Sequence, residues 1–414
     1  MTRPAPLSAG STSTDAGSTT GRGASGRVVE VHTQTRCGLL VALAFAAAAI
    51  VAGITRLGGG WWVPLHLFVV GALLSAISAT TLMLAVTWSA APAPRPMVAA
   101  AQRWALVAGA IALVAGREQG QTWVLVAGGT TVVVAMLGLA WMLIRIRQQS
   151  ITPRFAPAIE AYVAAAVAGA TGMSIGILLG TGRAGDRAVA LRDVHLVLNV
   201  FGFIGLVIAG TLPYFAATQL RSKLSSRATP VALRVTFLAL AIATAVAATG
   251  HLIERPGVVA GGLIAYAAGL LAIASMLPSL VRSRVRWAGP RAVQLAAGVG
   301  WWAAMTVALA VATIRATDDR AILQALLIGG FAQILVASLA YLGPVLRGGG
   351  HRRLTAGFAI TRSWVSLAAG NTAGAAALVG HRPTLAVALG IWLTDIAIRA
   401  GRLLTESRSR AETT

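Results

Sequence analysis

Three histidines in apolar surroundings are the side chains of this sequence best suited to chemistry. His66 and His195 each lie a few residues inside a long apolar segment, and His251 lies near the end of another. An imidazole can ligate a metal or carry a proton, and polar side chains inside a membrane are costly and often functional. The alternative for each is a histidine at the level of the lipid headgroups or in a helix contact.

Small and polar residues follow His195 at helical spacing. Asn199 and Gly202 stand four and seven positions beyond His195, which places all three on one face of an α-helix. This face presents an imidazole, an amide and then, at Gly202, a space without a side chain, which we call the clearing. Either the edge of a macrocycle or a closely packed neighbouring helix would fill that clearing.

Asp395 is the acidic residue that lies deepest in an apolar segment, and Arg399 follows one helical turn later. A pair at this spacing can neutralise itself inside a bundle. We interpret it as a structural pair, with part of a proton or ion pathway as the alternative.

The composition indicates a polytopic membrane protein. Of 414 residues, 57% are apolar and 11% are charged, and the mean hydropathy is +0.76. A soluble domain carries about 25% charged residues, so an ordinary soluble enzyme or a disordered protein is excluded. The single cysteine, Cys37, excludes an internal disulfide or a cysteine metal cluster. No basic cluster is interleaved with aromatic residues, so no nucleic-acid partner is predicted despite the net charge of +22.

Apolar segments recur along most of the chain, and each is long enough to cross a bilayer. We predict an all-α bundle of twelve transmembrane helices within 37–404, a disordered cytoplasmic tail over 1–36 and a cytoplasmic tail over 405–414. The predicted spans are 37–54, 61–88, 98–116, 122–144, 157–181, 190–218, 229–253, 257–281, 289–313, 320–347, 354–379 and 384–404.

The distribution of arginine predicts the orientation. With the N-terminus in the cytoplasm, 25 of the 34 basic residues fall in cytoplasmic segments. This is the bias expected from the positive-inside rule. We therefore predict a multi-pass protein of the cell (plasma) membrane with both termini in the cytoplasm.

A period of 129 residues relates the second, sixth and tenth spans. His66, His195 and Gln324 stand at equivalent positions near the start of each, and the remaining spans overlay under the same shift. We predict three repeats of four helices, over 37–150, 157–283 and 289–404. The alternative is that twelve evenly spaced helices produce an approximate period by themselves.

The histidine positions and two short motifs resemble a known group. Residues 195–205 read H-x-x-x-N-x-x-G-x-x-G and continue to Gly-Thr-Leu-Pro at 210–213, and Gln333–Arg347 carries a second stretch of likeness. These features resemble subunit I of the haem-copper oxidases and, more closely, NnrS-type membrane proteins and related actinobacterial proteins of unknown role. The motif likeness covers about 60 residues.

The resemblance implies a cofactor and its ligands. Carried over, His66 corresponds to a haem ligand, His195 to a copper ligand and His251 to a poorer copper match, and Asn199 lines the same cofactor face. The tenth span departs from the pattern, because 320–347 contains no histidine. A full binuclear centre and oxygen reduction are therefore not expected.

Two function classes follow. The resemblance implies a degenerate oxidase-like core that binds haem, copper or both, is linked to nitric oxide, nitrite or copper handling, and meets a secreted or membrane-anchored copper protein. The alternative is a twelve-helix secondary transporter without a cofactor. The sequence carries no phosphate-binding loop and no H-E-x-x-H motif, so nucleotide hydrolysis and zinc proteolysis are not predicted.

Overall fold

The computed structural model describes residues 17–348 and 350–405, and within that part it consists of helices and short connections without strands. The all-α polytopic bundle predicted from composition is confirmed. Among the described residues, eleven helices are long and apolar enough to cross a membrane. In chain order the helices are α1 (Gly17–Thr55), α2 (Trp62–Ser89), α3 (Pro96–Glu118), α4 (Thr122–Gln148), α5 (Ala156–Gly180), α6 (Gly185–Gln219), α7 (Pro230–Leu252), α8 (Pro256–Ser275), α9 (Arg282–Ala288), α10 (Pro290–Arg315), α11 (Arg320–Arg347), α12 (Gly350–Ile360), α13 (Trp364–Leu378) and α14 (Arg382–Thr405).

Proline defines several helix starts. Pro96, Pro230, Pro256 and Pro290 each occupy the first position of their helices, where the missing N–H costs nothing and the fixed φ favours helix. At α7 the hydroxyl of Thr229 also accepts the N–H of Ala232 as a cap. These local signals explain why the predicted boundaries lie close to the observed ones.

Helix α1 begins at Gly17, so it includes the described part of the segment 1–36 for which a disordered tail is predicted. The guanidinium of Arg36 explains the docking of this region. It donates from Nε to the Leu346 carbonyl at 2.7 Å, and from Nη2 to the same carbonyl, at the end of α11. Carbonyls at a helix C-terminus lack partners within the helix, so a cation there is favourable. Residues 1–16, and 406–414 of the predicted C-terminal tail, lie outside the described residues.

Three helices contain a wider, π-helical turn at corresponding places. The π segments are Leu67–Leu73 in α2, Leu198–Gly205 in α6 and Leu326–Ala332 in α11. Each follows shortly after His66, His195 or Gln324, so the segments recur at nearly the spacing of the proposed repeat. The threefold repeat stays a prediction, and this recurrence is the structural feature that agrees with it. Such turns insert one extra residue and frequently lie at functional sites.

The predicted span 354–379 is not one continuous helix. It is divided into α12 and α13, with a break at Thr361–Ser363. The two pieces still follow α11 antiparallel along much of its length, since Gly357 packs at Pro344, Thr361 bonds the Ala340 carbonyl and Gly374 packs at Gly329. The predicted number of twelve crossings is therefore reached if α12 and α13 together cross the membrane once.

Charged side chains of α14 stabilise the break. Asp395 accepts a 2.6 Å hydrogen bond from the Ser363 hydroxyl and pairs with Arg399 at 2.9 Å. Arg399 in turn donates to the carbonyls of Ile360, at 2.8 Å, and Arg362. Breaking a helix inside a bundle frees backbone groups that need partners. The Asp395–Arg399 pair supplies them, as the structural interpretation of this pair requires.

The largest buried side chains surround α6. Tyr266 of α8 and Trp302 of α10 are 1% and 0% exposed, and their rings lie 6.0 Å apart. On the opposite side of α6, Tyr162 of α5 bonds the Thr211 hydroxyl at 2.8 Å. Helix α6 is therefore enclosed on several faces, and it carries the candidate site.

The bundle has two chemically different ends. We call the end with His66, His195 and His251 the histidine end, and the end with Arg221, Arg291, Arg362 and Arg399 the arginine end. The charge distribution predicts that the arginine end is cytoplasmic.

Candidate functional site at the histidine end

His195 is held between α6 and α5. Its Nδ1 lies 2.7 Å from the Gly172 carbonyl oxygen, and its ring packs against Gly176 one turn further along α5. A carbonyl oxygen only accepts, so Nδ1 must carry the hydrogen. The lone pair of the neutral imidazole is therefore on Nε2.

His66 has the same arrangement with a different partner. Its Nδ1 lies 2.8 Å from the carbonyl oxygen of Trp62, one turn earlier in α2. The Trp62 indole stacks on the imidazole with 3.9 Å between ring centroids, and Arg117 lies over that indole at 5.4 Å. Ring orientation and tautomer are thus both determined, and Nε2 again carries the lone pair.

We call His66 and His195 the histidine pair; within the described part of the chain no hydrogen bond or ring contact joins their side chains. They lie near enough to interact electrostatically although they are far apart in sequence. Among the described residues neither Nε2 has a hydrogen-bond partner, and neither atom is buried. The pair therefore presents two accessible lone pairs at the histidine end.

Asn199 has a backbone role in this arrangement. Its amide donates to the His195 carbonyl at 2.7 Å and lies 3.4 Å from His195 Nδ1. A π-helical turn leaves carbonyls without their usual partner, and the Asn199 amide satisfies the one at His195. Gly172 gives it room, since a Cβ there would lie 2.5 Å from Asn199 Nδ2. Its predicted contact with a cofactor stays a prediction.

His251 belongs to a different environment from His195. Its Nδ1 lies 3.9 Å from Asp193 Oδ2, whereas His195 contacts Gly172, Gly176 and Asn199. Asp193 and His195 point in different directions because they are two residues apart on a helix. Among the described residues no contact joins the side chains of His195 and His251, and their predicted metal role stays a prediction.

The clearing beside Gly202 is filled by neighbouring helices. A Cβ at Gly202 would lie 2.9 Å from the Ala168 Cβ and 3.3 Å from Thr244 Cγ2, on α5 and α7. The π turn between His195 and Gly202 also rotates the later residues away from the imidazole. Of the two alternatives for this clearing, the structure favours the packed helix over the macrocycle edge.

His66 and His195 are imidazoles of the histidine end whose Nε2 atoms have no partner among the described residues. Within the described ranges, no group of three or more His, Cys, Asp or Glu side chains is placed to hold a metal ion. Imidazole nitrogens are ligands for haem iron and for copper, so these two side chains are the candidate ligands of such a group.

Two buried polar side chains, Gln333 and Arg291, are not among the predicted site residues. Gln333 is fully buried, and its Oε1 accepts a hydrogen bond from Asn371 Nδ2 at 3.3 Å. Asn371 Oδ1 in turn accepts a hydrogen bond from the Trp301 indole at 2.9 Å. Arg291 is one of the 25 basic residues in the predicted cytoplasmic segments, and its side chain is 2% exposed. The signal for Gln333 was an amide inside an apolar segment, whereas nothing near Arg291 in the sequence distinguishes it from its exposed neighbours.

No protein-family model matches this chain, and no curated protein matches it significantly. The functional argument therefore depends on the geometry described above.

Proposed function

We propose that this membrane protein binds haem iron or copper through Nε2 of His66 and His195. The role we infer is in nitric oxide, nitrite or copper handling, as the resemblance to NnrS-type proteins implies, and not in oxygen reduction. One observation carries the proposal: each imidazole donates Nδ1–H to a backbone carbonyl, which leaves its Nε2 available to a ligand.

Metal-binding histidines have this arrangement in general. The hydrogen bond from the second ring nitrogen determines the tautomer and raises the basicity of the ligating nitrogen. At His66 the stacked Trp62 also limits rotation of the ring. Bound haem or copper would supply a redox-active centre able to bind small ligands, and the chain's residues orient and hold it.

The position of the pair is consistent with an exported partner. The histidine end is the one that the charge bias places outside the cell. A copper protein that is secreted or anchored outside the membrane would then reach the site directly. Location in the plasma membrane, cytoplasmic termini and the copper-protein partner are parts of this proposal.

An absorption spectrum with metal analysis tests the proposal. We expect the purified protein to hold about one haem or copper per chain. His66→Ala and His195→Ala should each lower that content about tenfold or more, because a single remaining ligand holds the group weakly. His381→Ala is the matched control, since His381 is an exposed histidine that bonds only Thr384. Equal cofactor content in all variants, or none in the wild type, would reject the proposal.

A second candidate function is secondary transport without a cofactor. The interrupted element α12–α13 favours it, because discontinuous helices form substrate sites in many transporters. The test is cysteine accessibility in a Cys37→Ser background. Transport predicts that Ser363→Cys reacts with membrane-impermeant reagents from both sides of the membrane, whereas a static bundle allows reaction from one side only.

A further inference from the structure

Three arginines lie among aromatic residues at the arginine end, and we call them the arginine cluster. They are Arg221 after α6, Arg291 in the first turn of α10 and Arg362 at the break before α13. Arg221 lies over the Trp287 indole at 3.4 Å from Cζ to ring centroid, and Arg362 donates to the Trp287 carbonyl at 2.6 Å. Arg221 and Arg362 therefore meet at one tryptophan, whose ring contacts Phe358, and Arg291 lies over that Phe358 ring.

Arg291 is the buried member of the cluster. Its Cζ lies 4.6 Å from the ring centroid of Phe358 and 5.5 Å from that of Tyr341. All three of its side-chain nitrogens are buried without a hydrogen-bond acceptor in the part of the chain that the structure describes, and so is Nε1 of Trp287. Cation–π contacts offset part of the cost of burying a guanidinium, but unpartnered donors leave much of the cost uncompensated.

The nearby carboxylates are already engaged elsewhere. Glu160 pairs with Arg147 and Arg234, and Asp395 pairs with Arg399. Within residues 17–348 and 350–405 no carboxylate pairs with any member of the arginine cluster. The cluster is therefore a concentration of positive charge with no anionic counterpart in the described protein.

A groove beside the cluster can receive a ligand. It has a volume of about 500 Å³ and is lined by Arg282, Arg286, Arg362 and Trp364, together with Gly289 and Pro290 at the uncapped start of α10. Arg362 belongs to both the groove and the cluster. Uncapped N–H groups and guanidinium groups both favour oxyanions, and the apolar wall of Leu280, Val285 and Trp364 suits the hydrocarbon part of a lipid.

We propose that this region binds the phosphate group of an anionic membrane lipid. The exposed Arg221 and Arg362 make the contacts, and the buried Arg291 supplies a positive charge that the phosphate compensates. Basic pockets between membrane helices on the cytoplasmic side are suited to anionic lipid headgroups. This inference does not depend on the histidine pair.

Thermal melting in lipid nanodiscs tests the proposal. We expect the wild-type protein to melt about 3–6 °C higher in discs containing phosphatidylglycerol than in discs of phosphatidylcholine alone. Arg221→Gln and Arg291→Met should lose most of this difference. In phosphatidylcholine, Arg291→Met should melt at or above the wild-type temperature, because the variant removes an uncompensated buried charge.

Arg227→Gln is the matched control, since Arg227 is an exposed arginine of the same end outside the cluster, and it should keep the full difference. Inorganic phosphate added to phosphatidylcholine discs identifies the source of the anion. If phosphate reproduces the rise in the wild type but not in Arg221→Gln, the site takes a free phosphate and the lipid assignment is overturned. An equal loss in Arg227→Gln and Arg221→Gln, or destabilisation of Arg291→Met by the same amount in both lipids, would overturn the site itself.

Discussion

The two ends of the bundle present opposite chemistry. At the histidine end, each imidazole of the histidine pair has its N–H satisfied by a carbonyl, and what remains available is a lone pair on Nε2. At the arginine end, Arg291 and Trp287 keep N–H groups that find no acceptor among the described residues. The metal proposed at one end would accept lone pairs, and the anion proposed at the other would accept hydrogen bonds.

The arginine end itself contains a second contrast. Arg399 is paired with Asp395 and bonds two backbone carbonyls, whereas Arg291 has only aromatic faces. Both side chains are largely buried, so the difference is in their partners. The charge of Arg399 is neutralised by a carboxylate of the protein. The charge of Arg291 has no such partner among the described residues, and the proposed anion would neutralise it.

The largest expected effect concerns which end faces the cytoplasm, because its outcome is all or none. A reporter fused to the C-terminus should be cytoplasmic, and one inserted in the loop at Gly182 should be external. The interrupted element α12–α13 then counts as a crossing. Reporter activity or protease accessibility in whole cells measures this. An external C-terminus with Gly182 still external would mean that α12–α13 does not cross, whereas an external C-terminus with Gly182 in the cytoplasm would exchange the predicted sides of the two ends.

Asp395→Ala should cause the largest loss of stability, about 3–5 kcal/mol, because it leaves Arg399 largely buried without its carboxylate and frees the Ser363 hydroxyl. Glu160→Ala is the comparison, since its pairs with Arg147 and Arg234 are more than a third exposed and should be worth about 0–1 kcal/mol. SDS-induced unfolding in mixed micelles measures both. Equal losses would show that the break does not depend on the Asp395–Arg399 pair.

Gly202→Leu should cost about 1–3 kcal/mol, because the added side chain meets Ala168 and Thr244 on two neighbouring helices. Gly261→Leu is the matched control, since no atom lies within 4 Å of the Cβ that it would add. Thermal melting and expression should fall together for the first variant and stay unchanged for the second. Loss of cofactor from Gly202→Leu without loss of stability would restore the macrocycle interpretation.

Gly176→Ala should have the smallest effect on the fold and a specific effect on the histidine pair. The added Cβ would lie 2.7 Å from Cε1 of His195, so the imidazole must shift from its present orientation. We expect haem or copper content to fall about tenfold, as for the loss of an orienting contact. Gly300→Ala, where the space is open, should change nothing. Unchanged cofactor content in Gly176→Ala would separate His195 from any ligand role.

Hydropathy and charge in the sequence determined the membrane class and most of the helices. A segment such as 122–144 is apolar throughout, so it inserts as a helix whatever its neighbours are, and the alternation of arginine predicts a side for each loop. The histidines of the pair were also recognisable, because an imidazole in an apolar segment is rare enough to stand out.

Only the tertiary structure decided which faces meet. At the break over Thr361–Ser363, Arg399 on another helix bonds the freed carbonyls and Asp395 accepts from the Ser363 hydroxyl, and no local pattern encodes these distant partners. Likewise the burial of Arg291 depends on Tyr341 and Phe358 closing over it. Bilayer insertion is a property of each segment's own composition, whereas packing and polar partnering are properties of pairs of segments brought together by the fold.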